Sequence, residues 1–317
     1  MKVVRVEAGA RLHFGFLDLN GSLGRIFGGI GMGIDEPKIM LDVCKSELLQ
    51  AQGPDCERAL GYAKRFLNHF GVQDGVAINV ISAIPSHVGL GSGTRMALTV
   101  GKALSVLFDI DVSIKELATV MGRSRRSSVG TVTFEKGGFV LDGGHKKGQE
   151  RDFPPLLFHD LLSTDWTFVV AVPMSLKGAS GPEEEEKFKA LSIHEELSSK
   201  VCRLTLMKLL PSIVERDAAV FGEAISEIQD LVGSCFSGLQ GGKFHSPLSE
   251  EIAYFMRSAG ALGIGQSSWG PAVYGITADR DRARAVCGSL KDKFGKETKV
   301  FMTSCAQGGA SVCVRED

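Results

Sequence analysis

The segment 76–94, VAINVISAIPSHVGLGSGT, constrains this chain more than any other. A short apolar strand over 76–81 runs into a loop opened by Pro85, and glycines follow at 89, 91 and 93. Beyond the loop, Met96, Val100, Ala103, Leu104 and Leu107 fall on one face of an amphipathic helix. In a strand–glycine loop–helix unit, successive backbone N–H groups can converge on one anion, and the helix adds its free N-terminal N–H groups and positive dipole end. Gly89, Leu90, Gly91, Ser92, Gly93 and Thr94 therefore form a candidate phosphate cradle, with a charge added by Arg95. A tight helix entry without ligand is the plainer alternative. The spacing matches neither the G-x-x-x-x-G-K-[ST] loop nor the G-x-G-x-x-G dinucleotide fingerprint.

Around this unit the apolar pattern predicts strands over 3–8, 12–19, 26–34 and 38–44 and a helix over 56–70. Helices are expected over 113–122 and 127–136, the second ending at Gly137-Gly138. The pattern weakens over 150–160, where Pro154-Pro155 breaks it, and a strand restarts over 166–173. Most of 183–232 reads as helix, opened by Pro182 and the acids Glu183 to Glu186. Helices over 248–260 and 280–294 and strands over 272–277, 298–303 and 310–315 complete the chain. The fold class is α+β, with one domain over 1–160 and a second over 161–317.

Lys and Arg total 36 against 37 Asp and Glu, so bulk charge gives no attraction to nucleic acid or to an anionic membrane. The N-terminal stretch MKVVRVEAGARLHF lacks the apolar core of a secretory signal, and no run is long and apolar enough for a membrane helix. The seven cysteines are scattered and form no C-x-x-C. Reduced thiols in a cytoplasmic protein are the expectation.

The loop resembles the second motif of the GHMP kinase superfamily, P-x-x-x-G-L-G-S-S: Pro85, Gly89, Leu90, Gly91 and Ser92 match, and Gly93 replaces the second serine. That resemblance implies an N-terminal α/β domain like that of ribosomal protein S5, with a left-handed βαβ crossover, and a ferredoxin-like α+β C-terminal domain. Superfamily kinases carry an acidic or polar residue about eight positions before a Gly-Gly pair. Here the stretch is SSVGTVTFEKGG and the position falls near Val129, which cannot take a proton.

Longer segments are similar to one branch, the β-ribofuranosylaminobenzene 5′-phosphate synthases: 11–35 (RLHFGFLDLNGSLGRIFGGIGMGID), 84–98 (IPSHVGLGSGTRMAL), 122–144 (GRSRRSSVGTVTFEKGGFVLDGG) and 263–275 (GIGQSSWGPAVYG). The resemblance implies a pentosyltransferase of methanopterin biosynthesis. Its reaction takes phosphoribosyl pyrophosphate and 4-aminobenzoate or 4-hydroxybenzoate to an aryl riboside 5′-phosphate, CO2 and pyrophosphate. It also implies a homodimer, Mg²⁺ as cofactor, and no pyridoxal phosphate or pyruvoyl group. Two other readings stay open: an ATP-dependent small-molecule kinase, and a non-catalytic phosphometabolite-binding protein.

Such chemistry needs cations for the leaving pyrophosphate and a stabiliser for an oxocarbenium-like C1. The candidates are Asp18, facing C1 or a metal, or else accepting N–H bonds in the Asn20-Gly21 turn; Arg25, holding phosphate with its fork, or a surface cation; and His13, catalytic or structural. Arg123 and Arg126, in a basic run with Arg125, are candidate phosphate ligands. Asp142 before Gly143-Gly144 binds metal or caps a turn. Gln266, Ser267 and Ser268 offer neutral hydrogen bonds and Trp269 a flat wall suited to an aromatic substrate.

Overall fold

The computed structural model describes residues 2–150, 152–178, 186, 188 and 195–316. Two sheets, antiparallel but for one pair of strands, organise it. The first is built on two long strands, β1 (Lys2–Asp18) and β2 (Arg25–Ser46), that pair along most of their length. Val4, Val6, Ala8, Ala10 and Leu12 alternate inward along β1, as a half-buried strand requires. Where the sequence suggests four strands there are two. Register shifts between Gly9 and Arg11 and between His13 and Gly15 bend the ribbon without ending it. A side chain at Gly9 would lie 2.0 Å from the Ile34 carbonyl oxygen, so only glycine lets the bent strands meet there.

Next to β2 lies β4 (Gly75–Ser82), followed by β3 (Gln50–Gln52), which is parallel to β4 and joined to it by α1 (Cys56–Phe70). After β4 comes the glycine loop and α2 (Ser92–Leu107), then α3 (Ile114–Val120) and α4 (Val129–Lys136). A capping box between Ser113 and Glu116 starts α3, and α1 ends at Gly71 in a left-handed conformation. Three further strands, β5 (Phe139–Asp142), β6 (His145–Lys146) and β7 (Leu156–Asp160), extend the sheet beyond β2. The sequence gives β7 little signal because it is an edge strand whose Leu156 and Leu157 are exposed.

The second sheet has the order β11–β8–β10–β9. Its strands are β8 (Thr167–Pro173), β9 (Gly263–Gln266), β10 (Val273–Thr277) and β11 (Thr298–Ser304). The helices between β8 and β9 are α5 (Glu195–Leu204), a π-helical turn (Thr205–Leu209), α6 (Leu210–Val214), α7 (Ala218–Gln240) and α8 (Pro247–Ser258); α9 (Arg280–Phe294) joins β10 to β11. A βαββαβ chain with its strands in this order is the expected ferredoxin-like layer. Of the helix expected over 183–232, residues 183–185, 187 and 189–194 lie outside the described residues, and Glu186 and Phe188 are helical.

The segment GIGQ, where the apolar pattern predicts no strand, is strand β9. Gly263 lets α7 approach: a side chain there would lie 2.1 Å from the Gly222 carbonyl oxygen. The chain passes from the first sheet to the second between Asp160 and Thr167. It returns with β12 (Ser311–Glu316), which pairs with β1. One apolar cluster runs through both layers, from Phe14 and Phe139 to Phe168, Phe221 and Trp269.

Candidate active site

The N-terminus of α2 is electropositive by construction. Its N-cap is Gly91 in a left-handed conformation, no side chain caps it, and its first turn holds no acid. Two guanidinium groups converge on it. A side chain at Gly93 would lie 3.2 Å from Arg58 Nη2 and 3.3 Å from Arg123 Nη1. Arg58 is anchored through Nη1, which donates to Asp55 Oδ2 at 2.8 Å and Ser86 Oγ at 2.6 Å. Arg123 stacks on Tyr62, 5.4 Å from the ring centroid, and donates to its hydroxyl. Each arginine is fixed by one part of its fork and directs another part at the helix end. This arrangement suits a phosphate group.

The glycine loop is closed from the far side by the turn after β9. Ser267, fully buried, donates its hydroxyl to the Gly89 carbonyl at 2.6 Å and accepts the His13 N–H at 3.0 Å. Arg11 Nη1 donates to the same Gly89 carbonyl at 2.6 Å. The two glycine-rich turns touch backbone to backbone: a side chain at Gly89 would lie 2.1 Å from the Ser267 carbonyl oxygen, and one at Gly270 would lie 2.1 Å from Val88. Ser267 is thus the joint between the loops, not a free substrate ligand.

Beyond that joint lies a pocket walled by Phe14, Phe16, Phe236 and Trp269, with His13, Gln229, Gln240, Lys243, Gln266 and Ser268 as its polar members. Trp269 packs against Phe236 at 4.4 Å between ring centroids and against Phe188 at 5.4 Å. Arg126 lies over the Phe188 ring, 4.6 Å from its centroid. Gln266 is held from three sides. Its Oε1 accepts the His245 N–H, its Nε2 donates to the Ser268 carbonyl, and its own N–H meets Gln229 Oε1. His13 is buried, and burial together with the charge of Arg11 pushes its pKa well below the ordinary histidine value, so the ring is neutral.

The structure brings together His13, Gln266, Ser268 and Trp269 in one pocket, and Gly93 with Arg123 at the other end. It corrects three other expectations. Arg95 faces inward, 1% exposed, donating to the carbonyls of Ala10 and Gly130 and to Thr133 Oγ1, so it cannot reach a phosphate at the loop. Burial, then the charge of Arg11, pushes its pKa down to about 9. Arg25 donates Nε and Nη2 to the Gly143 and Gly144 carbonyls, both at 2.7 Å, so its fork is occupied by a turn and not by phosphate.

Asp142, read as a metal ligand, is completely buried. It accepts from the N–H groups of Gly29, Ser128 and Gly144 and from the hydroxyls of Ser127 and Ser128. Five donors leave a carboxylate no vacant lone pair for a cation. Asp18 Oδ1 accepts from Asn20 N–H, Gly21 N–H and Ser198 Oγ, which is the turn role of its two expected ones. Among the described residues no three His, Cys, Asp or Glu side chains group to hold a metal ion. Leu90 is buried and only its carbonyl serves the loop, accepting the Arg11 N–H at 3.1 Å. Thr94 packs beside Gly130, whose side chain would lie 3.1 Å from its methyl group.

At the position where superfamily kinases carry an acid, Val129 is fully buried at the first turn of α4 and clusters with Val132 and Val140. Sequence reasoning missed Arg11, Arg58, Gln229, Phe236, Gln240 and Lys243. Arg58 sits in an ordinary charged helix, and α7 reads as a core helix, so neither carries a local signal; Phe14 and Phe16 were visible as the alternation in LHFGFLDL.

Residues 57–135 match the GHMP kinases N terminal domain and 209–296 the GHMP kinases C terminal domain. The chain is 33% identical to a beta-ribofuranosylphenol 5′-phosphate synthase of Archaeoglobus fulgidus, over 98% of this chain and 99% of that protein. It is 32% identical to the protein of the same name from Methanothermobacter thermautotrophicus, over 87% and 89%. Among solved structures, homoserine kinase from Cytophaga hutchinsonii superposes with a TM-score of 0.71 at 15% identity, over 98% of this chain and 97% of that one. No helix among the described residues is long and apolar enough to cross a membrane.

Proposed function

Given that this chain belongs to the beta-ribofuranosylphenol 5′-phosphate synthase family, on the GHMP kinase fold, we propose that it transfers the 5-phosphoribosyl group of phosphoribosyl pyrophosphate to a para-substituted benzoate. The products are an aryl C-riboside 5′-phosphate, CO2 and pyrophosphate. The relatives' names point to 4-hydroxybenzoate as the acceptor, ahead of 4-aminobenzoate. The observation that carries the reading is the two-part site. A cationic helix end at Gly93 is joined, through the Gly89–Ser267 contact, to a pocket walled by aromatic rings.

In this reading the C1–O bond to pyrophosphate breaks and the electron pair leaves with the pyrophosphate. Arg58, Arg123 and the N–H groups of the first turn of α2 take up its growing charge. The ring carbon that bears the carboxylate attacks C1, driven by the para oxygen. The C–CO2 bond then breaks, its electron pair restores the aromatic ring, and CO2 departs. No proton has to be removed from the attacking atom, so the reaction needs no base where Val129 stands. Trp269 and Phe236 hold the ring flat and shield it from water. Asp142, saturated by the protein's own donors, does not hold a resident Mg²⁺. Mg²⁺ enters instead as the counter-ion of the donor's pyrophosphate, and no step here depends on a protein-held metal.

Purified protein with phosphoribosyl pyrophosphate, Mg²⁺ and 4-hydroxybenzoate should release CO2 and pyrophosphate in equal amounts. Consumption of ATP with an alcohol acceptor and no decarboxylation would refute the reading in favour of a kinase.

A further inference from the structure

Two polar atoms of the aromatic pocket are buried and lack a hydrogen-bond partner: His13 Nε2 and Gln240 Oε1. Burying a polar atom without a partner costs free energy, so two in one pocket wall call for a ligand that satisfies both. Their chemical sense is fixed by their other bonds. His13 Nδ1 accepts the Gly15 N–H at 3.3 Å, so in the neutral ring the proton sits on Nε2, which is a donor. Gln240 Nε2 donates to the Gly242 and Lys243 carbonyls, both at 3.1 Å, so the amide cannot be turned over and Oε1 is an acceptor.

We propose that His13 Nε2–H and Gln240 Oε1 form a donor–acceptor pair that recognises the para hydroxyl of the aromatic acceptor and selects it over other para groups. This rests on the synthase reading of the pocket. A phenol oxygen can accept one bond and donate one, and so matches both atoms at once. An aromatic amine donates two and accepts poorly, leaving His13 Nε2–H unmet. A methoxy group accepts only, leaving Gln240 Oε1 unmet. A carboxylate also accepts only and is repelled by Oε1, so the benzoate enters hydroxyl first, with its carboxylate-bearing carbon turned toward the donor. The Gln240 oxygen also favours the reaction, because the phenol O–H becomes more acidic as its oxygen pushes electrons into the ring.

The test is calorimetric titration of the full chain with 4-hydroxybenzoate, 4-aminobenzoate, 4-methoxybenzoate and benzoate, with CO2 release measured on the same preparation. The amino and methoxy compounds should each bind about tenfold more weakly than the hydroxy compound, the effect of one unmatched buried polar atom, and benzoate more weakly still. Gln240→Leu removes the acceptor and should reverse the order of the hydroxy and methoxy compounds. The four wild-type titrations decide the matter even if that variant fails to fold. Equal binding of the four, or binding of none, overturns the pair. Equal binding with CO2 release removes the pair and leaves the synthase reading intact. Ordered binding without CO2 release keeps the pair and removes that reading.

Discussion

Gly93 and Arg95 stand two residues apart in one helix turn, yet they mark opposite uses of charge. At Gly93, Arg58 and Arg123 are each tethered through one part of the fork and leave another part facing the helix end. At Arg95, three bonds to the protein's own oxygens engage both Nη atoms and burial closes the group off. Asp142 follows the second pattern, and Arg25 spends two arms of its fork on a turn. A charged residue at a motif is therefore informative only through the bonding capacity it has left. The same contrast separates the two ends of the site. The end proposed for the donor is cationic. The end proposed for the acceptor is neutral and aromatic, with Lys243 tied to Asp230 at 3.0 Å.

The sharpest way to break that contrast is at the donor end. Replacing both Arg58 and Arg123 by alanine should weaken the donor about a thousandfold, at ~1.5–3 kcal/mol for each charge-assisted contact. Benzoate binding, followed by calorimetry, should not move. If the donor's KM is unchanged, the helix end is not its site. Gly89→Ala strikes the joint. The residue holds a φ of 88° and its new methyl group would meet the Ser267 carbonyl. Turnover should fall about a hundredfold as the two halves separate by a fraction of an ångström, and thermal denaturation should show a lower midpoint. A variant with full activity would mean the halves work independently.

Trp269→Phe tests the acceptor end alone. It should raise the benzoate KM about tenfold through lost ring contact and leave donor affinity untouched. The smallest effect concerns protons. His13 is neutral in the folded protein because its pKa is depressed, while in the unfolded chain it takes up a proton below about pH 6.5. Its folded pKa being the lower, stability holds above that pH. It is lost by about 1.4 kcal/mol per pH unit as pH falls from there toward the folded pKa. Chemical denaturation at several pH values should show a shallower acid slope in His13→Gln. An unchanged slope would mean that the histidine is charged in the fold, and the donor assigned to Nε2 would lose its basis.

Much of the fold was legible. The helix over 56–70, the strand–loop–helix unit and the ferredoxin-like layer follow from apolar periodicity and from the motif resemblance. The bends that fuse four expected strands into two were not legible, because a bulge leaves alternation intact on either side of Gly9 and Gly15. Nor was β9, whose Gly263 marks a helix pressed against a strand. At the site, the motif residues drew attention to the right loops but could not rank their side chains. Ser267 and Asp142 look like ligands in sequence and are saturated in three dimensions. Arg58 and Gln240 look ordinary in sequence, and only the fold brings them to Gly93 and to the aromatic pocket.

The central claim is that the two ends meet to form a carbon–carbon bond. It is tested most directly by supplying phosphoribosyl pyrophosphate labelled with ¹³C at C1 and 4-hydroxybenzoate labelled with ¹³C at the ring carbon bearing the carboxylate. The product's NMR spectrum should show one-bond coupling between the two labels, with the carboxylate gone as CO2. A product that keeps its carboxylate and shows no such coupling, or an ATP-dependent phosphate ester in its place, would contradict the account.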